Sequence, residues 1–322
     1  MSADALPRRI VCGLACRVSA SDGRISLAET DRHTTRQAID LASRANARAG
    51  AAGPRASVVF VHVVDWLTER AAQDGPDIVD AVRRELAPDL DEISANAAEH
   101  GVEIRHEMKL GRPWRELLKA ADSERADVIV VSPRRQRESL GSRIFRGQTA
   151  TRILKESTCP VWVVEPECGP PKRILALLDL GPVSSMIVTA ARSLGELYDA
   201  DLYGLCCLDY PSDISLHRLP QARDAIRSYH REVRTDALAR LERLTAGQEK
   251  WKLLLGEDWV ARLAPRVIEE KKIDLVVMGG VSKPRLAGAL LGTTAQRLLD
   301  HVSVSTWVVR PERKGPPPHR DD

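Results

Sequence analysis

Apolar positions along the chain fall into two kinds of segment. Short continuous runs of Val, Ile and Leu, such as SVVFVHVVD at 57–65 and DVIVVSP at 127–133, alternate with longer stretches of helical spacing. Such runs read as strands buried on both faces, the kind found in parallel sheets under helices. In chain order the pattern predicts a strand at 8–16, a polar loop at 17–28, and an amphipathic helix from Glu29 to Ala49. That helix carries Ala38, Ile39, Leu41 and Ala42 on its apolar face, and Pro54 lies beyond it. A strand at 57–65 follows, then a helix from about Ile78 to His100, interrupted or bent near Pro88 and stopped by Gly101. The half closes with a strand at 102–111, a short helix from Trp114 to Ala121, a strand at 127–133, a basic loop at 133–146, a helix at 147–157 and a strand at 159–167.

The proline-glycine stretch ECGPPK (167–172) reads as a linker, and after it the order repeats. Strands are expected at 173–180, 201–209, 250–256, 274–280 and 305–309, with helices at 184–198, about 221–246, 258–271 and from Leu290 onward. Individual residues repeat too. Gly111, Trp114, Gly147, Thr149, Arg152 and Trp162 recur as Gly256, Trp259, Gly292, Thr294, Arg297 and Trp307, each pair 145 positions apart. A period that long means two copies of a whole domain rather than a solenoid. Each copy is then an α/β domain with a doubly wound parallel sheet and right-handed crossovers. Its ligands would sit at the carboxyl ends of the strands, where strand order reverses.

Composition narrows this little. A length of 322 residues suits two domains. With aromatic residues at 4%, the cores must be aliphatic. The net charge of +3 (48 basic against 45 acidic residues) gives no reason to expect nucleic acid or a membrane surface as partner. The six cysteines include no C-x-x-C pair. There is no signal-like N-terminus and no apolar run near the roughly 20 residues that cross a bilayer. The expected location is the cytoplasm, with thiols reduced.

Candidate chemistry gathers at 273–312. The run DLVVMGG ends in Gly279 and Gly280 after Met278, and Gly292, Thr293 and Thr294 open a helix. The paired glycines would let backbone approach a ligand or would simply turn the chain. The helix start would favour an anion, or Thr293 and Thr294 would serve only its cap. Asp179, at the end of the first strand of the second copy, could accept hydrogen bonds from a base or ribose, or could cap the Gly181-Pro182 turn. Lys283 and Arg285 could neutralise phosphate or remain solvated. The arginines at 134, 135, 137, 143 and 146 suit an anion or solvent, and with no aromatic ladder beside them they do not suit single-stranded nucleic acid. His62 reads as a satisfied core histidine, and the cysteines as small hydrophobes. No catalytic elbow, zinc helix or intact Walker loop appears, so an enzymatic role has no named nucleophile or base.

In these segments the chain resembles the universal stress protein family in its tandem form. ILKESTCPVWVVEP and LLDHVSVSTWVVRP look like that family's C-terminal strand. Its nucleotide-binding members carry G-x2-G-x9-G-[S/T] after strand four. Here Gly279, Ser282 and Gly292-Thr293 keep the spacing, with serine at the middle glycine. Asp179 matches the family's acidic residue after strand one. In the first copy the same spacing falls on Arg134 and Arg137, and Ala15 replaces the acid.

The resemblance implies Rossmann-like sheets of order 3-2-1-4-5, packed as a pseudo-dimer through strand five, with Trp162 and Trp307 near the contact. With the repeat and the proline-glycine stretch, the expected domains are 1–167 and 173–313 with a linker at 168–172, and the tail at 314–322 has too little apolar content to fold and is expected to be disordered. The resemblance further implies a stress-response regulator whose second copy binds ATP or ADP, with Mg, through Asp179, Met278, Gly279, Gly280, Ser282, Gly292, Thr293 and Thr294. The alternative is the same fold without nucleotide, acting through protein or other small-ligand contacts. A homodimer of tandem chains is compatible with either. At most slow ATP hydrolysis would be expected.

Overall fold

The computed structural model describes residues 6–18, 24–51, 53–64, 71–133, 135–137, 143–145, 148–166, 168–208, 210, 223–246, 251–280 and 291–311. The first copy contains β1 (Arg9–Leu14), β2 (Cys16–Val18), β3 (Ile25–Leu27), α1 (Glu29–Ala49), β4 (Ser57–Val64), α2 (Ala71–Glu99), β5 (Glu103–Leu110), α3 (Pro113–Ser123), β6 (Val128–Val131), β7 (Arg135–Arg137), β8 (Arg143–Phe145), α4 (Gln148–Glu156) and β9 (Val161–Val163). The second contains β10 (Arg173–Leu178), α5 (Ser184–Tyr198), β11 (Asp201–Cys207), α6 (Arg223–Thr245), β12 (Trp251–Gly256), α7 (Val260–Lys271), β13 (Leu275–Gly279), α8 (Thr293–His301) and β14 (Ser305–Val309).

Three local expectations are corrected. The polar stretch 17–28 holds part of a small antiparallel hairpin, β2 with β3. Strands of three residues are too short to leave a periodic signal. The basic loop likewise contains the hairpin β7–β8. Helix α2 starts earlier than Ile78 and runs unbroken through Pro88. Leu86, Ile93 and Ala97 are buried on either side of that proline, and this packing offsets the lost backbone hydrogen bond. The Arg134, Arg146, Gly147, Lys283 and Arg285 readings, and the tail, lie outside the described residues.

The main strands form one ten-stranded sheet, β12-β11-β10-β13-β14-β9-β6-β1-β4-β5. Each half is parallel with the order 3-2-1-4-5. The two halves meet through a single antiparallel pair, β14 with β9, in which Trp307 lies opposite Trp162 and the ring centroids are 5.9 Å apart. Side chains alternate with period two. Ile174, Ala176 and Leu178 face one core, and Leu175 and Leu177 face the other. The first core is covered by α1, α2, α5 and α6, the second by α3, α4, α7 and α8, and each runs through both copies.

The same carboxylate staple appears in each copy. Asp127 Oδ2 accepts the Arg8 and Arg9 N–H groups, both at 2.9 Å, and Asp274 Oδ2 accepts those of Lys172 and Arg173 at 3.0 and 2.8 Å. Each ties the start of strand four to the start of strand one with charge-assisted bonds. The antiparallel junction also fixes where the basic hairpin goes. It leaves the carboxyl end of β6, which lies level with the amino ends of the second copy's strands. Its strand β8 lies against α8. Among the described residues no helix is long and apolar enough to cross a membrane.

Both tryptophans at the junction are almost fully buried. Trp307→Ala is expected to lower unfolding free energy by about 3–5 kcal/mol, since it removes a large core side chain at the joint. Urea titration checks this, and a loss below about 1 kcal/mol would show that the joint does not depend on the ring.

His62 in β4 is fully buried, and its Nε2 lies 3.3 Å from Nδ1 of His106 in β5. Burial first, and His106 second, push its pKa down to about 3. The unfolded chain, near 6.5, therefore takes up the proton before the folded one. Stability from this source is intact above about pH 6.5 and declines as pH falls toward 3, by at most about 1.4 kcal/mol per pH unit. In denaturant titrations His62→Leu should flatten this decline between about pH 6 and pH 4 relative to wild type. An unchanged slope would assign the acid sensitivity to other groups.

Candidate functional site

In the second copy the crossovers from β10 and from β13 go to opposite faces, which opens a crevice at the carboxyl ends of these neighbouring strands. A cavity of about 740 Å³ occupies it. Its walls include Asp179, Met278, Gly279, Gly280, Gly292 and Thr294. Thr293 is adjacent as the first residue of α8, and Ser282 lies outside the described residues.

The glycines have distinct tasks. The Gly280 N–H donates to Val309 O at 3.2 Å, and the Gly292 N–H donates to Gly280 O at 2.9 Å. The chain thus leaves at Gly280 and returns to the same point to start α8. A Cβ on Gly280 would lie 3.0 Å from Nη1 of Arg310 and 3.1 Å from Cγ1 of Val308, so this position is tightly enclosed. Gly292 is the N-cap of α8 and, lacking a side chain, makes no cap hydrogen bond. No acidic residue occupies the first turn. The N–H groups of Thr293, Thr294 and Ala295 have no intrahelical acceptor by helix geometry, and the positive end of the dipole adds to them. An anion is the matching ligand.

Asp179 follows β10 and is exposed. Its Oδ1 accepts the Gly181 N–H at 2.8 Å and the Ser184 hydroxyl at 3.0 Å, so it does cap the next segment. Among the described residues Oδ2 accepts no hydrogen bond. The turn is strained at Leu180, which has φ of 56°, and Nη2 of Arg240 holds its carbonyl at 2.9 Å. Cys207 lines the wall as a neutral thiol, its pKa pushed up to about 12 chiefly by burial. The set of groups suits binding: donors at one end, and a preset carboxylate in the middle.

The equivalent place in the first copy is filled by the chain itself. Asp31, the third residue of α1, is 1% exposed. Its Oδ2 accepts the Ala15 N–H at 3.1 Å, and its Oδ1 accepts the Ser132 hydroxyl. Ala15 is the counterpart of Asp179 and Ser132 that of Gly279, so a carboxylate from a helix bridges the ends of strands one and four.

The family model described as "Universal stress protein family" matches residues 27–165 and again residues 171–310. The chain belongs to the universal stress protein family. The family is one of stress-response proteins, and this universal stress protein is its tandem form. Universal stress protein E of Photorhabdus laumondii subsp. laumondii is 20% identical over 306 residues, covering 89% of this chain and 93% of that protein. Among solved structures, a functionally unknown protein from Pseudomonas aeruginosa PAO1 is similar with a TM-score of 0.65 at 17% identity, covering 97% of this chain and 95% of its own. A universal stress protein from Archaeoglobus fulgidus gives a TM-score of 0.63 at 13% identity, covering 93% of this chain and 98% of its own. At these identities the structures speak to the fold alone.

Several residues around the crevice of this universal stress protein were not singled out from sequence. Arg310 is buried against Gly280, while its counterpart 145 residues earlier is Glu165. That reversal of charge within a repeated WVV-x-P segment was a usable signal. Asp31 gave none, because only the fold brings it to Ala15.

Asp31→Ala in this universal stress protein is expected to cost about 1–3 kcal/mol, because it leaves the Ala15 N–H without its carboxylate in a closed site. Chemical denaturation reads this directly. A neutral substitution would show that the first crevice admits water freely.

Proposed function

We propose that the protein is a non-catalytic cytoplasmic stress-response regulator that takes an adenine nucleotide, ATP or ADP with Mg, in its second copy. One observation carries the reading: the crevice brings Asp179, Met278, Gly279 and Gly280 together with the uncapped N-terminus of α8 at Gly292–Thr294. Phosphate would lie on the N–H groups of Thr293, Thr294 and Ala295. Asp179 Oδ2 would accept from the sugar or base. Ser282, which keeps the spacing of the family's nucleotide motif, would contribute to the phosphate end. The first copy would bind no nucleotide at the equivalent place, since Asp31 already sits there.

The competing reading keeps the fold and dispenses with the nucleotide, the protein acting through partner contacts. It is favoured by Asp179, whose Oδ1 has a sufficient structural task.

Thermal melting with increasing ATP–Mg separates the two. At about 100 times Kd, a ligand that binds only the folded state adds roughly 2.7 kcal/mol, a shift of several degrees for a chain of this size. Gly292→Asp, which puts a negative charge at the helix start, should abolish the shift. No shift at millimolar ATP, with nucleotide-free protein, sinks the nucleotide reading.

A further inference from the structure

The joint uses up both strand-five edges, so the ten-stranded sheet ends at β5 in the first copy and at β12 in the second. An edge strand presents unpaired N–H and C=O groups, and charged side chains, lysine above all, are the usual defence against pairing there. The β12 edge fits that description. Lys252 is the one charged residue of Trp251–Gly256, and its Nζ lies 3.0 Å from Asp201 Oδ2 of the neighbouring strand. The β5 edge, EIRHEMKL, is different. Glu103, Arg105, Glu107 and Lys109 share one face and alternate in sign. Ile104, His106 and Met108 share the other, and Ile104 and Met108 pack on the first core. Within the chain Glu107 is bracketed by Arg105 at 3.0 Å and Lys109 at 3.2 Å, and Arg105 also reaches Glu124 at 2.6 Å.

The backbone sets which groups are free. The Gly111 N–H donates to Val64 O. By the alternation of a parallel ladder, the odd-numbered residues of β5 then bond toward β4, and the N–H and C=O groups of Ile104, His106 and Met108 face outward. Antiparallel pairing of this edge with itself has one register that keeps the whole strand paired and satisfies the charges. With His106 opposite His106 of a second chain, Glu103 meets Lys109 and Arg105 meets Glu107, each pair occurring twice. Ile104, His106 and Met108 exchange the backbone bonds. The charges then occupy the non-hydrogen-bonded positions, where facing side chains lie closest. A slip of two residues in one direction sets Arg105 opposite itself, and in the other sets Glu107 opposite itself. Burial lowers the His106 pKa from its ordinary value, so the facing imidazoles are uncharged at neutral pH.

We propose that β5 is an interface for a second copy of this chain, the two edge strands pairing antiparallel across a two-fold axis at His106 so that one sheet continues through both chains. Charge complementarity selects this occupant. A purely protective edge needs repulsion in every register, whereas the E-x-R-x-E-x-K pattern is attractive to itself in the full-length register and repulsive in the registers on either side. The interface lies outside the second copy's crevice and does not depend on the nucleotide reading.

Sedimentation velocity of the full-length protein over a concentration series tests this, with circular dichroism confirming that each variant is folded. The wild-type protein should dimerise reversibly. Arg105→Glu and Glu107→Arg each set like charges opposite one another at both symmetry-related pairs, and each alone should weaken dimerisation about tenfold or more. Mixing the two variants restores opposite charges at both pairs, so the mixture should form a heterodimer about as tightly as the wild type forms its homodimer. A wild-type protein that stays monomeric at every concentration overturns the interface. So does a dimer that is not weakened in the single variants, and so does a mixture that associates no better than either variant alone.

Discussion

The architecture hangs on one short antiparallel pair. Three residues of β9 lie against β14, with Trp162 opposite Trp307, and this is where two complete parallel sheets become one. A parallel sheet of order 3-2-1-4-5 ends in an open edge at strand five, with unpaired N–H and C=O groups and a strand of large apolar side chains. Pairing the two copies removes both edges at once. It also lets each core run through the junction, so helices of one copy shield strands next to those of the other. The antiparallel sense has a second consequence. The carboxyl ends of the strands point in opposite directions in the two halves, so the two crevices open at opposite ends of the molecule. Each could diverge without disturbing the other.

The divergence obeys a physical constraint. At the end of strand one a backbone N–H faces into the fold and needs an acceptor. The second copy has Asp179 there, exposed, with its carboxylate turned to the Gly181 N–H and the Ser184 hydroxyl, and the crevice beside it is open. The first copy has alanine there, and Asp31 of α1 fills the position from the side, aided by serine in place of Gly279. With alanine in place of the acid, a carboxylate from the neighbouring helix satisfies the backbone. The parts that hold the sheet together did not diverge: Asp127 and Asp274 make the same pair of bonds to the start of strand one.

The alternation of buried runs and helical stretches made the strand and helix order readable, because strands covered on both faces must be continuously apolar. The 145-residue offset made the duplication readable down to the tryptophans of the joint. That Asp179, Gly279, Gly280 and Gly292 line one crevice followed from their places at the ends of neighbouring strands, whereas their individual tasks, a turn, a cap or a ligand contact, were left open by the sequence. What stayed hidden depends on contacts distant in sequence. Asp31 looks like an ordinary acidic residue in a first helical turn, and nothing near it names Ala15 or Ser132. His62 was legible as a core residue, but its pairing with His106 needed the register of β4 against β5.

At Asp179 the structural role does not exclude the ligand role proposed for it. A carboxylate free to rotate would lose that freedom on binding, at a cost in affinity. Here the Gly181 N–H and the Ser184 hydroxyl fix the group through one oxygen, and the strained Leu180 turn is held in turn by Arg240. The second oxygen is therefore oriented before any ligand arrives. In the first copy, alanine at the same place removes both functions together. A residue that served only as a cap could have been kept there, since the first copy also has to begin a helix after strand one. For the nucleotide proposed above, the cap in the second copy would then serve as preorganisation, since it fixes the carboxylate through one oxygen on the wall of the crevice.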